Sequence, residues 1–240
     1  ENRPEWLISD LSIMLSGGVT VPAYTTYTER DYEYIIDDCS PTVLIISDKT
    51  QYLKVKNIIS KKEFIKKIIF FDVIEEFNQE LHVNINQIFA NKNFNLLNFS
   101  EVKIQRKDVA CIIYTSGTQG NPKGVILSHG GILNNCEGAL GLLKEFISKK
   151  PKFLTWLPLS HSYEHTVQFV QIVVGAQVFY AESIEKLIKN MGNCSPEIMT
   201  AVPRFYQNLH QKINTNFSKA TGIKKFLINQ TIKLGTKKLN

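Results

Sequence analysis

The chain has no long uninterrupted apolar run. Its longest apolar segment, Val167–Ala181, is broken by Gln168, Gln171, Gly175 and Gln177, and it falls short of the roughly 20 residues a membrane-spanning helix needs. Cysteine is scarce and unpatterned. Cys39, Cys111, Cys136 and Cys194 include no C-x-x-C pair, which argues against a disulfide framework or a zinc site and for buried thiols in a reducing, cytosolic setting. No N-terminal stretch has the basic-then-apolar build of a secretory signal. No basic stripe interleaves with aromatic residues and no nucleic-acid-binding module pattern occurs, so nucleic acid is not an expected partner. No internal repeat is evident.

What is present describes an ordinary globular protein. At 240 residues, with 43% hydrophobic and 21% charged residues, the chain can form one large or two modest cores. The net charge of +6 comes with lysine clusters at Lys61-Lys62, Lys66-Lys67, Lys149-Lys150-Lys152, Lys224-Lys225 and Lys237-Lys238. They read first as solvated surface. The alternative is attraction to anionic lipid or to a polyanionic small molecule.

The pattern alternates helix and strand. Asn2 is expected to cap a helix with Pro4 in its first turn and Trp6, Leu7, Leu11, Met14 and Leu15 on its apolar side, ended by Gly17-Gly18. Val19–Tyr24 reads as a short strand. Thr28 with Asp31 forms a capping-box variant that opens a helix to about Cys39, stopped before Pro41. Val43–Ile46 reads as a strand, Asp48 as the next helix cap, and Lys67–Phe71 as another strand. Residues 73–103 are Asn-rich, lack clean periodicity and read as short helices and loop. A hairpin follows from Val109, then a helix over about Ile132–Phe146 and a strand over Phe153–Leu157. After these come a helix near Tyr163–Val174, the strand Gln177–Tyr180, a helix from Ser183 to Gly192, the strand Glu197–Ala201 and a helix opened by Pro203. A last helix from Gly222 carries Ile223, Phe226, Leu227 and Leu234 on one side and lysines on the other. This order predicts a layered α/β fold with two mostly parallel sheets flanked by helices, in two units, 1–103 and 104–240.

The densest chemistry lies at 114–125, Tyr-Thr-Ser-Gly-Thr-Gln-Gly-Asn-Pro-Lys-Gly-Val. Glycines let a backbone approach a polyphosphate and point its N–H groups inward, hydroxyls donate to the oxygens, and one lysine adds a point charge. The Walker A pattern does not fit. Five positions beyond Gly117 stands Pro122, and Lys123 is followed by Gly124, not by a hydroxyl residue. The flanks differ as well, because Gly124–Ser128 reads as a second strand after the turn dipeptide Asn121-Pro122.

This stretch resembles the phosphate-loop signature of the adenylate-forming, or AMP-binding, superfamily, whose form is Tyr-Thr-Ser-Gly-Thr-Thr-Gly-x-Pro-Lys-Gly. The superfamily includes acyl-CoA synthetases, luciferase-like enzymes and peptide-synthetase adenylation domains. The single departure is Gln119, whose amide can still donate, so a weakened or re-routed phosphate contact is expected there. Trp156–His165, Trp-Leu-Pro-Leu-Ser-His-Ser-Tyr-Glu-His, is similar to the superfamily's Leu-Pro-x-x-His motif. Tyr163-Glu164-His165 and Ala201–Tyr206 with Arg204 are similar to the branch of bacterial long-chain fatty-acid–CoA ligases. Taken from the residues alone, His161 is more often structural than functional at such a turn. His165 reads as a capping or packing residue, Glu164 as a partner for a basic group or for the helix dipole, and Arg204 as an ion-pair partner or a site residue.

The resemblance implies ATP-dependent activation of a long-chain fatty acid to an acyl adenylate and then to acyl-CoA, with ATP, Mg2+ and coenzyme A taking part. It implies that Ser116, Gly117, Thr118, Gln119 and Gly120 cradle the β- and γ-phosphates. Thr115 gives a hydroxyl to phosphate or Mg2+, Lys123 adds charge as pyrophosphate leaves, and His161 borders the carboxylate and adenylate site. It further implies a cytoplasmic protein, with peripheral contact at the inner face of a membrane as an open option. The family's Tyr-Gly-x-Thr-Glu, ribose-binding aspartate, hinge and C-terminal lysine do not occur before Asn240. The chain is therefore expected to be an N-terminal portion of a larger ligase, inactive alone. Two alternatives stand beside this: a non-catalytic fragment that binds nucleotide or a partner, and another adenylate-forming enzyme such as a peptide-synthetase domain.

Overall fold

The computed structural model describes residues 1–74, 78, 80–91, 102–115 and 122–239, with backbone alone at 238 and 239. The chain forms two compact units, Glu1–Met199 and Thr200–Asn240.

The first unit begins with helix α1, Pro4–Leu15. Its N-cap is Arg3, which makes no side-chain capping bond. Asn2, expected as the cap, instead sends its amide to Leu157 O at 2.7 Å and accepts from Leu159 N at 3.1 Å. Pro4 at the first helical position has no N–H to satisfy, so the cap is dispensable and Asn2 is free to bond elsewhere. Gly17, at φ 77°, turns the chain out of α1 in the left-handed region that glycine reaches without strain.

Helix α2, Glu29–Cys39, opens with the expected capping box: Thr28 accepts from Asp31 N while Asp31 takes the Thr28 N–H at 2.9 Å. Helix α3, Lys49–Ile59, is capped by Asp48, which accepts from Gln51 N at 2.8 Å. Between and after them run β1, Val43–Ile46, β2, Lys67–Phe70, and β3, His82–Asn84, paired in parallel in the order β1-β2-β3. Central β2 buries Ile68 and Phe70 completely, and Tyr52, Val55, Ile58 and Ile59 of α3 pack against them. The region 73–103 thus holds a strand the sequence did not announce, followed by helix α4, Ile85–Ala90, with Asn84 as a capping-box residue. Three residues are too few to show period-2 alternation, and that is why β3 escaped notice. Residues 92–101 lie outside the described part.

The second layer of this unit is the antiparallel hairpin β4, Val109–Thr115, with β5, Lys123–Ser128. It is followed by helix α5, His129–Leu143, where Ser128 accepts from Gly131 N at 3.1 Å. Next come β6, Lys152–Thr155, helix α6, Ser162–Val173, and β7, Gln177–Tyr180, with β6 and β7 parallel. The apolar side of β4 (Ala110, Cys111, Ile113) packs with Met14 of α1, Ile132 and Cys136 of α5, and Phe169 and Val170 of α6.

The expected pair of parallel sheets flanked by helices is present, with the hairpin beside them. Two expected strands shrink to single bridges. Among the described residues Val19–Tyr24 pairs only through Thr20 with Cys111, and Glu197–Ala201 only through Ile198 with Phe153. Pro22 in the first segment and Pro196 just before the second lack the N–H a longer ladder needs. Helix α7 runs over Leu187–Cys194, later than the expected Ser183–Gly192. No described helix is long and apolar enough to cross a membrane.

The second unit consists of helices α8, Pro203–Ser218, opened by its proline as expected, and α9, Gly222–Leu239. Ile223, Phe226, Leu227 and Leu234 of α9 are exposed. Arg204 is exposed in the first turn of α8 and makes no ion pair among the described residues.

Candidate functional site

The hairpin register sets the mouth of the glycine-rich loop. Thr115 pairs with Lys123, and Tyr114 pairs with Gly124. Residues opposite each other in an antiparallel ladder sit roughly 4.5–5.5 Å apart at Cα. The chain therefore leaves β4 and re-enters β5 at adjacent points. Thr115 and Lys123 are both exposed at this mouth. Ser116, Gly117, Thr118, Gln119 and Gly120 lie outside the described residues.

The stem beneath is held by packing and a side-chain hydrogen bond. Tyr114 is buried, its hydroxyl donates to the Asp38 carboxylate of α2, and its ring meets Tyr34 edge-on at 6.5 Å. Burial first, and then the bond to Asp38, push the Tyr114 phenol well above its ordinary value, so it stays a neutral donor. Gly124 is required opposite it, because a Cβ there would stand 2.8 Å from Ile112 Cγ2 and 3.4 Å from the Tyr114 ring.

The second candidate segment leaves β6 at Trp156. Leu157 and Leu159 are buried, Asn2 holds the Leu157 carbonyl and the Leu159 amide, and His161 N-caps α6. The C-terminal ends of β6 and β7 open on a cleft of about 560 Å3, lined by Trp156, Pro158, Leu159, Ser160, Tyr180 and Glu182 from one side and by Asn2, Arg3 and Tyr24 from the other. A crevice outside the carboxyl ends of parallel strands is where open α/β sheets bind ligands. The volume falls within the roughly 300–1,000 Å3 of small-molecule pockets.

His161 is exposed, and its Nδ1 accepts from Tyr163 N at 3.2 Å. A backbone N–H can only donate, so Nδ1 is the lone-pair nitrogen, and the neutral ring carries its proton on Nε2. His165, one turn on, is buried to 1% exposure. Its Nε2 lies 2.8 Å from Asp10 Oδ2, its Nδ1 lies 3.9 Å from Cys111 Sγ, and Trp6 stands edge-on at 5.4 Å. This matches its reading as a packing residue and adds a polar link to it. Burial, and then the charge of Asp10, push the Cys111 thiol up to about 12, so it is protonated at neutral pH and can donate to His165 Nδ1.

The hairpin and α6 therefore meet at Cys111–His165, four residues before Thr115 along β4 and four after His161. Thr115 and Lys123 are neighbours. Among the described residues no hydrogen bond or ion pair joins His161 to either. Glu164 stands in the first turn of α6, where an acid meets the helix dipole, and is buried to 1% exposure. No group of three or more His, Cys, Asp or Glu side chains converges among the described residues. For a magnesium ion the described loop mouth offers the Thr115 hydroxyl, and an ion held by substrate phosphates and water needs few protein oxygens.

Sequence reasoning missed Asp10 and misassigned Asn2. The signal for Asp10 was there: a carboxylate three residues after Leu7 and four before Met14 sits inside the apolar stripe of α1.

The AMP-binding enzyme family matches residues 1–232. Similar curated proteins include fatty acyl-CoA synthetase A of Dictyostelium discoideum, 29% identical over 240 residues, which is 95% of this chain and 35% of that protein. Long-chain-fatty-acid–CoA ligase 6 of Homo sapiens is 30% identical over 239 residues, 95% of this chain and 34% of that one. The chain thus spans about a third of the length of these relatives. Among solved structures, a red-emitting luciferase of Phrixothrix hirtus superposes with a TM-score of 0.69 at 19% identity, covering 82% of this chain and 38% of that one. A coronafacic acid ligase of Pectobacterium brasiliense superposes with 0.70 at 21% identity, covering 92% and 41%. At such identities these structures speak for the fold alone.

Proposed function

The chain belongs to the AMP-binding enzyme family, and on that premise we propose that the protein it represents activates a long-chain fatty acid, first to an acyl adenylate and then to acyl-CoA. The observation that carries this reading is the hairpin register that pairs Thr115 with Lys123, the residues that flank the run Ser-Gly-Thr-Gln-Gly-Asn-Pro in the sequence. The long-chain acyl-CoA ligases among its relatives favour the fatty acid as substrate.

In the proposed reaction a carboxylate oxygen attacks the α-phosphorus of ATP. The bond from that phosphorus to the bridging oxygen breaks, and pyrophosphate leaves with the electron pair. The coenzyme A thiol then loses its proton and attacks the acyl carbon, and AMP departs. Both partners of the first step are anions, so the protein contributes alignment and countercharge. Ser116, Gly117, Thr118, Gln119 and Gly120 hold the β- and γ-phosphates, and Lys123 supplies charge as pyrophosphate separates. Thr115 gives its hydroxyl to phosphate or to Mg2+, and the ion, when bound, would offset phosphate charge. His161 presents Nε2–H to the carboxylate or adenylate. In this reading residues 1–103 form the first α/β unit and 104–240 belong to the second, which carries the phosphate loop.

Residues 200–240 carry Arg204, Lys212, Lys219, Lys224, Lys225, Lys233, Lys237 and Lys238 and no Asp or Glu. With exposed apolar residues on α9, this favours peripheral contact with an anionic membrane surface, which in a cytoplasmic protein is the inner face.

A second reading rests on Gln119, the one departure in the loop: a protein that binds nucleotide without forming adenylate. Labelled ATP separates the two. With the α-phosphate labelled, the complete protein is expected to release label as AMP only when fatty acid and coenzyme A are present. ATP binding without AMP release would favour the second reading, and release as ADP would refute adenylate formation.

A further inference from the structure

We propose that Asp10 is a positioning residue for His161, acting through the buried ring of His165; the role of His161 rests on the function proposed above. Asp10 is 5% exposed on a helix face otherwise made of Trp6, Leu7, Leu11 and Met14. Burying a carboxylate is unfavourable unless it is paired. An apolar pair of similar volume holds two helices together at least as well as a buried ion pair or charged hydrogen bond does. What the polar pair adds is direction. At 2.8 Å from Asp10 Oδ2, with Cys111 at its other nitrogen and Trp6 and Phe169 against its faces and edge, the His165 ring has one orientation available.

That orientation fixes the first turn of α6, both its rotation and its height along the axis. The His165 N–H donates to the His161 carbonyl at 2.9 Å, and the Tyr163 N–H takes His161 Nδ1. His161 therefore inherits its place from His165, and its Nε2–H is presented outward. Asn2 grips the same segment ahead of His161, at Leu157 and Leu159. The α1 segment thus holds the His161 turn from both sides, through a side chain just ahead of the helix and through Asp10 in its second turn.

The test uses the complete protein and fatty-acid-dependent ATP–pyrophosphate exchange, counted per active site and run well below Tm. Asp10→Ala is expected to lower kcat tenfold or more while the KM for ATP stays unchanged, because phosphate binding lies on the hairpin. Asp10→Asn, which keeps an oxygen for the His165 N–H, is expected to restore activity to within threefold of wild type. In a His161→Ala background, Asp10→Ala is expected to have no further effect. An equal loss in both backgrounds, or a His161→Ala protein with wild-type exchange, would overturn the proposal. Should Asp10→Ala not fold, the pair Asp10→Leu/His165→Leu fills the space without the polar link and is expected to show the same kcat loss at near-wild-type Tm; full activity in that pair would also overturn it. A wild-type protein without exchange would instead sink the ligase reading. The His161 ring nitrogen NMR shifts then decide the positioning alone: a single Nε2–H tautomer in wild type and a mixture in Asp10→Ala support it, and unchanged shifts refute it.

Discussion

A methyl group added to three glycines, one at a time, tests whether the loop stem is as tightly packed as described. At Gly124 the new Cβ would lie 2.8 Å from Ile112 Cγ2 and 3.4 Å from the Tyr114 ring. Ile112 is β-branched, so this methyl cannot swing away without leaving its rotamer. Overpacking of this kind costs about 1–3 kcal/mol, offset by about 0.4–1 kcal/mol from the stiffer unfolded chain. A net loss of about 1–2 kcal/mol corresponds to a fall in Tm of roughly 2–8 °C in a protein of this size. At Gly130 the Cβ would lie 2.7 Å from the Arg106 carbonyl oxygen, and the Gly130 N–H also bonds that oxygen. A backbone atom yields less readily, so Gly130→Ala is expected to lose more than Gly124→Ala. At Gly138, inside α5, no atom lies within 4 Å of the new Cβ. There the substitution is expected to stabilise by about 0.5–1 kcal/mol, raising Tm by roughly 1–4 °C. Thermal unfolding followed by far-ultraviolet circular dichroism reads all three. A Gly124→Ala protein as stable as wild type, or three shifts of one sign, would refute the packing described for the stem.

Stability should fall in alkali. Burial holds Cys39, Cys111 and Tyr32 up to about 11, 12 and 12, above ordinary values of 9 for the thiols and 10 for the phenol. Each group keeps its proton longer in the folded chain than in the unfolded one, so its contribution is fully present below pH 9 and is lost as pH climbs through the folded values. Urea midpoints at pH 8 and pH 10.5 check this, and an equal or higher midpoint at pH 10.5 would contradict it. The basic α9 gives the remaining prediction: replacing Lys224, Lys225, Lys233 and Lys237 by Gln in the complete protein is expected to weaken binding to anionic vesicles at least tenfold, at about 1 kcal/mol per lysine near the surface. Binding that matches wild type, or that ignores salt, would remove the membrane proposal.

Much of the fold was legible because its signals are local. Thr28-x-x-Asp31, Asp48 and Pro203 mark their helices by capping and backbone chemistry that acts within one turn, and each does so in the structure. The hairpin was legible for the same reason, from Asn121-Pro122 between two apolar runs. Failures came where distant partners decide. Asn2 is a fit cap by type, yet its bonds go to Leu157 and Leu159, 155 and 157 residues away. Thr20 and Ile198 pair in a bridge apiece because proline, not hydrophobicity, sets how far a ladder runs. His165 was readable as a core residue, but the partner that makes it directional, Asp10, sits 155 positions earlier, and no local pattern joins them.

Lys123 bears most directly on the central claim, that the loop closed by Thr115 and Lys123 serves adenylate formation. Its side chain is exposed at the mouth of the hairpin, so Lys123→Ala should leave Tm unchanged. With α-labelled ATP, fatty acid and coenzyme A, the complete Lys123→Ala protein is predicted to release AMP about a hundredfold more slowly than wild type, the scale expected when one preorganised charge contact is lost. AMP release at the wild-type rate would contradict the account.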